Sequence, residues 1–132
     1  RGHRGKSLRR EDIAVIFFFY PRPIFYLVPP QRLPAMYLKI HRSPDLGDVV
    51  AVCDRELLNT TIQHGELSVT VTEGFYGTTL ADEAAVCEAL RTGGNINLMG
   101  ERAVAVAVKL GLISRADCIM IGDIPHAQIY QL

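Results

Sequence analysis

The chain has 132 residues, of which 48% are apolar and 21% charged, and its formal net charge is zero. That length sets an upper bound of one domain, large enough to bury a core without staples, and the composition excludes a disordered or a disulfide-framework protein. The zero conceals two opposite halves: residues 1–35 carry seven Lys/Arg against two acids, a net of +5, while residues 36–132 carry seven against twelve, a net of −5. An acidic domain is a poor general partner for a phosphate backbone; only the basic N-terminal segment has the charge for that.

The first 35 residues read basic (Arg1 to Arg10), then apolar (Ile13 to Tyr20), then broken by Pro21, Pro23, Pro29, Pro30 and Pro34. A basic stretch before an apolar one resembles a signal peptide, but no small-residue cleavage site follows. A membrane-spanning helix needs about 20 unbroken apolar residues, which Arg22 and the prolines prevent. Met36 leads straight into a well-patterned strand. We read it as the natural start, with 1–35 as translated upstream sequence outside the fold. An ordered or nucleic-acid-binding extension is the alternative, and targeting a third.

From Met36 the pattern predicts a single domain. Apolar Met36, Leu38 and Ile40 alternate with Tyr37, Lys39 and His41 in a first strand, and Pro44–Gly47 is a turn. Asp48 to Cys53, with Val49, Val50, Ala51 and Val52 in a row, is a short apolar run rich in valine, suited to a central strand. Asp54 is expected to cap a helix over 55–63, with Leu57, Leu58 and Ile62 on one side, Gly65 ending it and His64 complementing its C-terminus. Strands are expected over 66–72, 95–99, 118–121 and 127–132. Residues 73–77 read as a loop. Helices are expected over 80–91, with Leu80, Ala84, Cys87 and Leu90 as its apolar face, and over 101–110, apolar nearly all round. The expected class is α+β: a two-layer sandwich with a mixed sheet of about five to six strands and three helices, mostly on one face.

Few residues suggest chemistry. Gly100 precedes a helix whose free N–H groups suit an anion, but one glycine is not a phosphate loop, and Glu101 already favours the helix dipole. His126, beside Pro125, has the residue type for acid–base work, yet no nucleophile is visible near it, and a hydrogen-bonding turn residue is the favoured reading. Phe75-Tyr76 between two glycines is either a stacking platform or a core plug beside an exposed ring. Arg42, Arg102 and Arg115 read as surface charges. Cys53, Cys87 and Cys118 lie far apart in apolar stretches and read as buried thiols, and two domain histidines with scattered thiols have no zinc spacing.

Four segments carry a family resemblance: Met36-Tyr37-Leu38-Lys39-Ile40-His41-Arg42, Glu73-Gly74-Phe75-Tyr76-Gly77, Asn97-Leu98-Met99-Gly100-Glu101-Arg102-Ala103-Val104 and Ile124-Pro125-His126-Ala127-Gln128. In this order they resemble the archaeal domain of unknown function 424 over residues 36–132. The resemblance implies a small stand-alone archaeal α/β protein associated with translation and RNA, and brings no activity, cofactor or catalytic residue; the three apolar-flanked thiols point to the cytoplasm. We therefore expect a non-enzymatic module that docks on RNA or a ribosome-associated protein, with no membrane, metal or cofactor. Its contact surface would use Phe75, Tyr76, Gly100, Glu101, Arg102, His126 and Gln128, because polar or aromatic residues in glycine- or proline-bounded loops are often functional. The alternative is a small-molecule-binding protein or enzyme with His126 as acid/base and Arg102 with Gly100 holding an anion; it requires these residues to converge. A third option is an oligomer paired through edge strands. The sequence leaves the oligomeric state open.

Overall fold

The computed structural model describes residues 14–19, 23–28, 34–45 and 47–131, the first two stretches by backbone alone. The basic run 1–10, Leu46 of the expected turn and Leu132 lie outside the described residues. The chain divides into two compact units, Arg1–Leu33 and Pro34–Leu132. In the first, strands β1 (Ala14–Phe19) and β2 (Pro23–Val28) pair antiparallel, Ala14 opposite Val28 and Phe19 opposite Pro23.

The second unit is an α+β domain built on a mixed six-stranded sheet. Its strands are β3 (Met36–His41), β4 (Val49–Asp54), β7 (Leu80–Ala81), β8 (Asn95–Met99), β9 (Ile119–Ile121) and β10 (Ile124–Tyr130). Their order is β7-β3-β4-β8-β10-β9, with β4 and β8 the one parallel pair. A separate hairpin joins β5 (Thr61–His64) to β6 (Leu67–Thr70). The helices are α1 (Glu73–Tyr76), α2 (Glu83–Thr92) and α3 (Glu101–Lys109).

Period-two alternation in the central strands divides the core in two. Val50, Val52, Ile96, Leu98, Ala127 and Ile129 face one way and pack with Val86 and Leu90 of α2 and Ala103, Val104, Val106 and Ala107 of α3. Ala51, Cys53 and Met99 face the other way, under Val71 and Tyr76, with Phe75, Ile62 and Val69 packed alongside. The second cover is therefore the β5–β6 hairpin and α1; β6 lies within the strand expected over 66–72, whereas β5 stands where the sequence suggested a helix and α1 where it suggested a loop.

Several expectations are corrected. Residues 55–57 form one 3-10 turn, and Asp54 makes no side-chain cap on it. The chain then turns at Asn59, whose φ of 66° is left-handed, into β5. Gly65 (φ 63°) serves the hairpin turn, and His64 complements no helix end: its Nδ1 accepts the Gly122 N–H at 3.0 Å. Residues 73–77 hold a one-turn helix capped by Thr72. α2 starts three residues later than expected because Asp82 is its cap, accepting the Ala85 N–H at 2.9 Å. Its buried pair is thus Val86 and Leu90, while Leu80 and Ala84 are exposed. α3 is buried along one side only, with Ala105 and Val108 exposed. β10 begins at Ile124, three residues early. Only Cys53 is fully buried; Cys87 and Cys118 are half-buried, and all three thiols are free.

Candidate functional site

At the C-terminal end of β4, Asp54 is 3% exposed. Its carboxylate accepts the Arg102 N–H at 3.0 Å and the Ala103 N–H at 2.9 Å, so this acid from a distant strand caps α3. Burial pushes its carboxyl above the ordinary value, and the two backbone donors oppose that only in part. Gly100 has φ 113° and ψ 164°, a region essentially restricted to glycine. A Cβ there would lie 2.3 Å from the Asp54 carboxyl carbon. The anion that the start of α3 holds is thus intramolecular.

The side chains around this end are paired as well. The Arg102 guanidinium donates to both Glu56 oxygens at 2.5 and 2.6 Å, and Arg115 donates to Glu101 at 2.9 Å. His126 belongs to the sheet face opposite α2 and α3, since its neighbours Ala127 and Ile129 point into the helical core. Its Nδ1–H donates to the Leu98 carbonyl at 2.8 Å, which leaves Nε2 as the acceptor in the neutral ring. An open depression of about 500 Å³ is lined by Leu38, Lys39, Glu73, Gly74, Gly77, Thr78 and Thr79, and contains neither His126 nor Arg102.

The polar chemistry collects on the sheet face away from α2 and α3. Register sets three rows across the strands: Tyr37, Cys53, Met99 and His126; Lys39, Ala51, Asn97 and Gln128; His41, Val49, Asn95 and Tyr130. The first row runs under the hairpin cover. In the other two, a chain of amides is left open. The buried Tyr76 hydroxyl donates to Asn97 Oδ1 at 2.6 Å. Asn97 Nδ2 donates to Gln128 Oε1 at 2.9 Å, and Gln128 Nε2 to Asn95 Oδ1 at 2.6 Å. Tyr130, opposite Asn95, is 69% exposed.

Beside this chain, His41 Nε2–H donates to the Phe75 carbonyl at 2.7 Å, and the two rings stack with centroids 5.0 Å apart. Lys39 donates to the Gly74 carbonyl at 3.1 Å. None of the twelve residues in the three rows is acidic, although the domain carries twelve acids. Burial pushes the Cys53 thiol up to about 12, reinforced by the neighbouring Asp54 charge, so it stays protonated and inert. Among the described residues, no group of three or more His, Cys, Asp or Glu could hold a metal, and no helix is long and apolar enough to cross a membrane.

The residues singled out from the sequence therefore separate. Gln128 lies on the open face, and His126 is half-buried in the row under the hairpin cover. Phe75 is half-buried against His41, and Tyr76 is a core residue whose hydroxyl anchors the amide chain. Gly100, Glu101 and Arg102 belong to the α3 junction. Asn95, Asn97 and Tyr130 were missed; the period-two pattern of Asn95-Ile96-Asn97-Leu98 was the available signal, because asparagine is depleted in strands.

Among curated proteins none matches the chain. A solved structure, an uncharacterized conserved protein from Methanopyrus kandleri, is similar at 28% identity with a TM-score of 0.62, over 72% of this chain and 90% of that one. The family model described as Protein of unknown function (DUF424) matches residues 41–132, in agreement with the resemblance carried by the Phe75-Tyr76 and Pro125-His126 segments, and the chain belongs to that family.

Proposed function

We propose that this protein is a non-enzymatic binding module, archaeal and cytoplasmic, that docks on RNA or a ribonucleoprotein of the translation apparatus through the open face of its sheet. The observation that carries this is charge placement. The domain is acidic overall, yet the two open rows, which contain Lys39 and His41, hold no carboxylate, so a polyanion meets polar surface without a carboxylate in those rows. The exposed amides add hydrogen-bonding capacity on the same face. The alternative built on His126 and Arg102 loses its anion site to Asp54 and its guanidinium to Glu56.

The test is sedimentation of the native protein in lysate of its source organism, on density gradients at low and high salt. Co-migration with ribosomal subunits that fades with salt is expected. A slowly sedimenting protein at both salts refutes the docking reading.

A further inference from the structure

We propose that Tyr130, Gln128 and Asn95 form a recognition site for an unpaired nucleobase in single-stranded RNA. This assignment rests on the docking reading above. Its first support is hydrogen-bond accounting along the amide chain. Tyr76 donates to Asn97, Asn97 to Gln128 and Gln128 to Asn95, which fixes the direction of every amide. A primary amide has two N–H donors and two acceptor lone pairs. After the internal bonds, Gln128 keeps one donor and one lone pair, and Asn95 keeps both donors. A base edge carries donors and acceptors in turn, so the free Gln128 donor and acceptor and the Asn95 donors give it complementary groups to meet.

The second support is the ring. Tyr130 sits directly opposite Asn95 in the β10–β8 register and two residues from Gln128 on the same face. That spacing is about 6.6 Å along a strand, so a base lying on the ring brings its edge to the amides. Tyr130 at 69% exposure contributes little to the core, and Gln128 is also exposed. The backbone beneath them is fastened: Gln131 N–H donates to the Gly94 carbonyl at 2.8 Å, and its side chain donates to the carbonyls of Leu90 and Gly93. A ring on an immobilised strand end stacks with little loss of conformational freedom.

The third support is charge. Lys39 stands in one of the two rows, and neither row holds a carboxylate, which suits the phosphates on either side of a bound base. A duplex hides its base faces in the stack, so the site selects single strands.

The experiment uses the full chain and fluorescence anisotropy with short labelled single-stranded oligoribonucleotides of A, C or U, against an RNA duplex of equal length. The expected result is binding of single strands over duplex, with affinities that differ among bases. Tyr130→Ala should weaken binding by about fivefold or more, while Tyr130→Phe retains it. Gln128→Ala should compress the ratio between the tightest and weakest base, a change that a structural role would not produce. Wild-type affinities matched by both Tyr130→Ala and Gln128→Ala would overturn the base site. If those variants also co-sediment normally with ribosomal subunits, the docking reading survives that failure. A wild-type protein that neither binds the oligomers nor co-sediments overturns both.

Discussion

The contact between Gly100 and Asp54 makes a demanding prediction, because two residues far apart in sequence should behave as one unit. Asp54→Ala strips the acceptors from the Arg102 and Ala103 N–H groups, and Ala103 is wholly buried. Loss of a cap together with unsatisfied donors costs about 2–4 kcal/mol. Gly100→Ala forces an alanine into φ 113°, about 1–3 kcal/mol of strain, and its Cβ would displace the Asp54 carboxyl from 2.3 Å away. Displacement breaks the same two hydrogen bonds, so this variant should lose roughly 3–7 kcal/mol in all. In the double variant the bonds are lost once and the clash is gone. Asp54→Ala should therefore add almost nothing on top of Gly100→Ala, a coupling of about 2–4 kcal/mol in a double-mutant cycle read by urea denaturation. Asp54→Ser, which keeps one short acceptor, gives a milder cycle of the same sign. Additivity within about 0.5 kcal/mol would refute the reasoning.

Asp54 also sets a pH dependence. Its folded carboxyl lies above the ordinary 3.8, so its contribution to stability is fully present below that value and is lost as pH rises through the folded pKa. The advantage of wild type over Asp54→Asn should then be larger at about pH 3 than at about pH 7; a gap that shrinks on acidification would hand control to the α3 N–H groups instead. Cys53, held up to about 12, should resist iodoacetamide in the native protein and react on unfolding, and native labelling as fast as that of Cys87 would contradict its burial. Arg102→Ala removes a two-pronged bridge to Glu56, but the side chains are 51% and 59% exposed, so the loss should stay below about 1 kcal/mol in thermal or urea unfolding. A loss above about 2 kcal/mol would show that Arg102 packs as well as pairs.

Where periodicity was unambiguous, the sequence was enough. Asn95–Met99 was legible to the residue, and Met36–His41 and Val49–Asp54 nearly so, because alternation and β-branched runs admit one reading. Residues 55–63 failed for a physical reason. Leu57, Leu58 and Ile62 fit one side of a helix, but they also fit a turn followed by a strand. The β-branched Thr60-Thr61-Ile62 run was the better guide. The Asp54 cap could not be read, because its partners lie 48 and 49 residues away and become neighbours only when β4 and β8 pair. Gly100 stood out in the sequence as the start of a helix whose free N–H groups suit an anion. Its conformation is indeed special, but the group it makes room for is the chain's own carboxylate.

The same contrast explains why the candidate site was only partly legible. Choosing polar and aromatic residues next to glycine or proline selected loops and helix starts, where such residues often have local structural duties: Tyr76 fills the core, Glu101 and Arg102 pair with Arg115 and Glu56, and Gly100 accommodates Asp54. A site on a sheet face leaves a different trace, made of residues that do not suit a strand and of charges that are missing. Two asparagines at alternate positions of β8 sacrifice strand propensity, and a glutamine and a tyrosine at alternate positions of β10 line up opposite them. In a domain with twelve acids, the absence of any carboxylate from those rows matters more than the net charge, because a ligand meets the local field before the total. The −5 that argues against phosphate binding by the domain as a whole is carried outside those rows; Glu73 of α1 lines the same depression as Lys39, but a strand that follows the amide chain meets no carboxylate in the rows themselves.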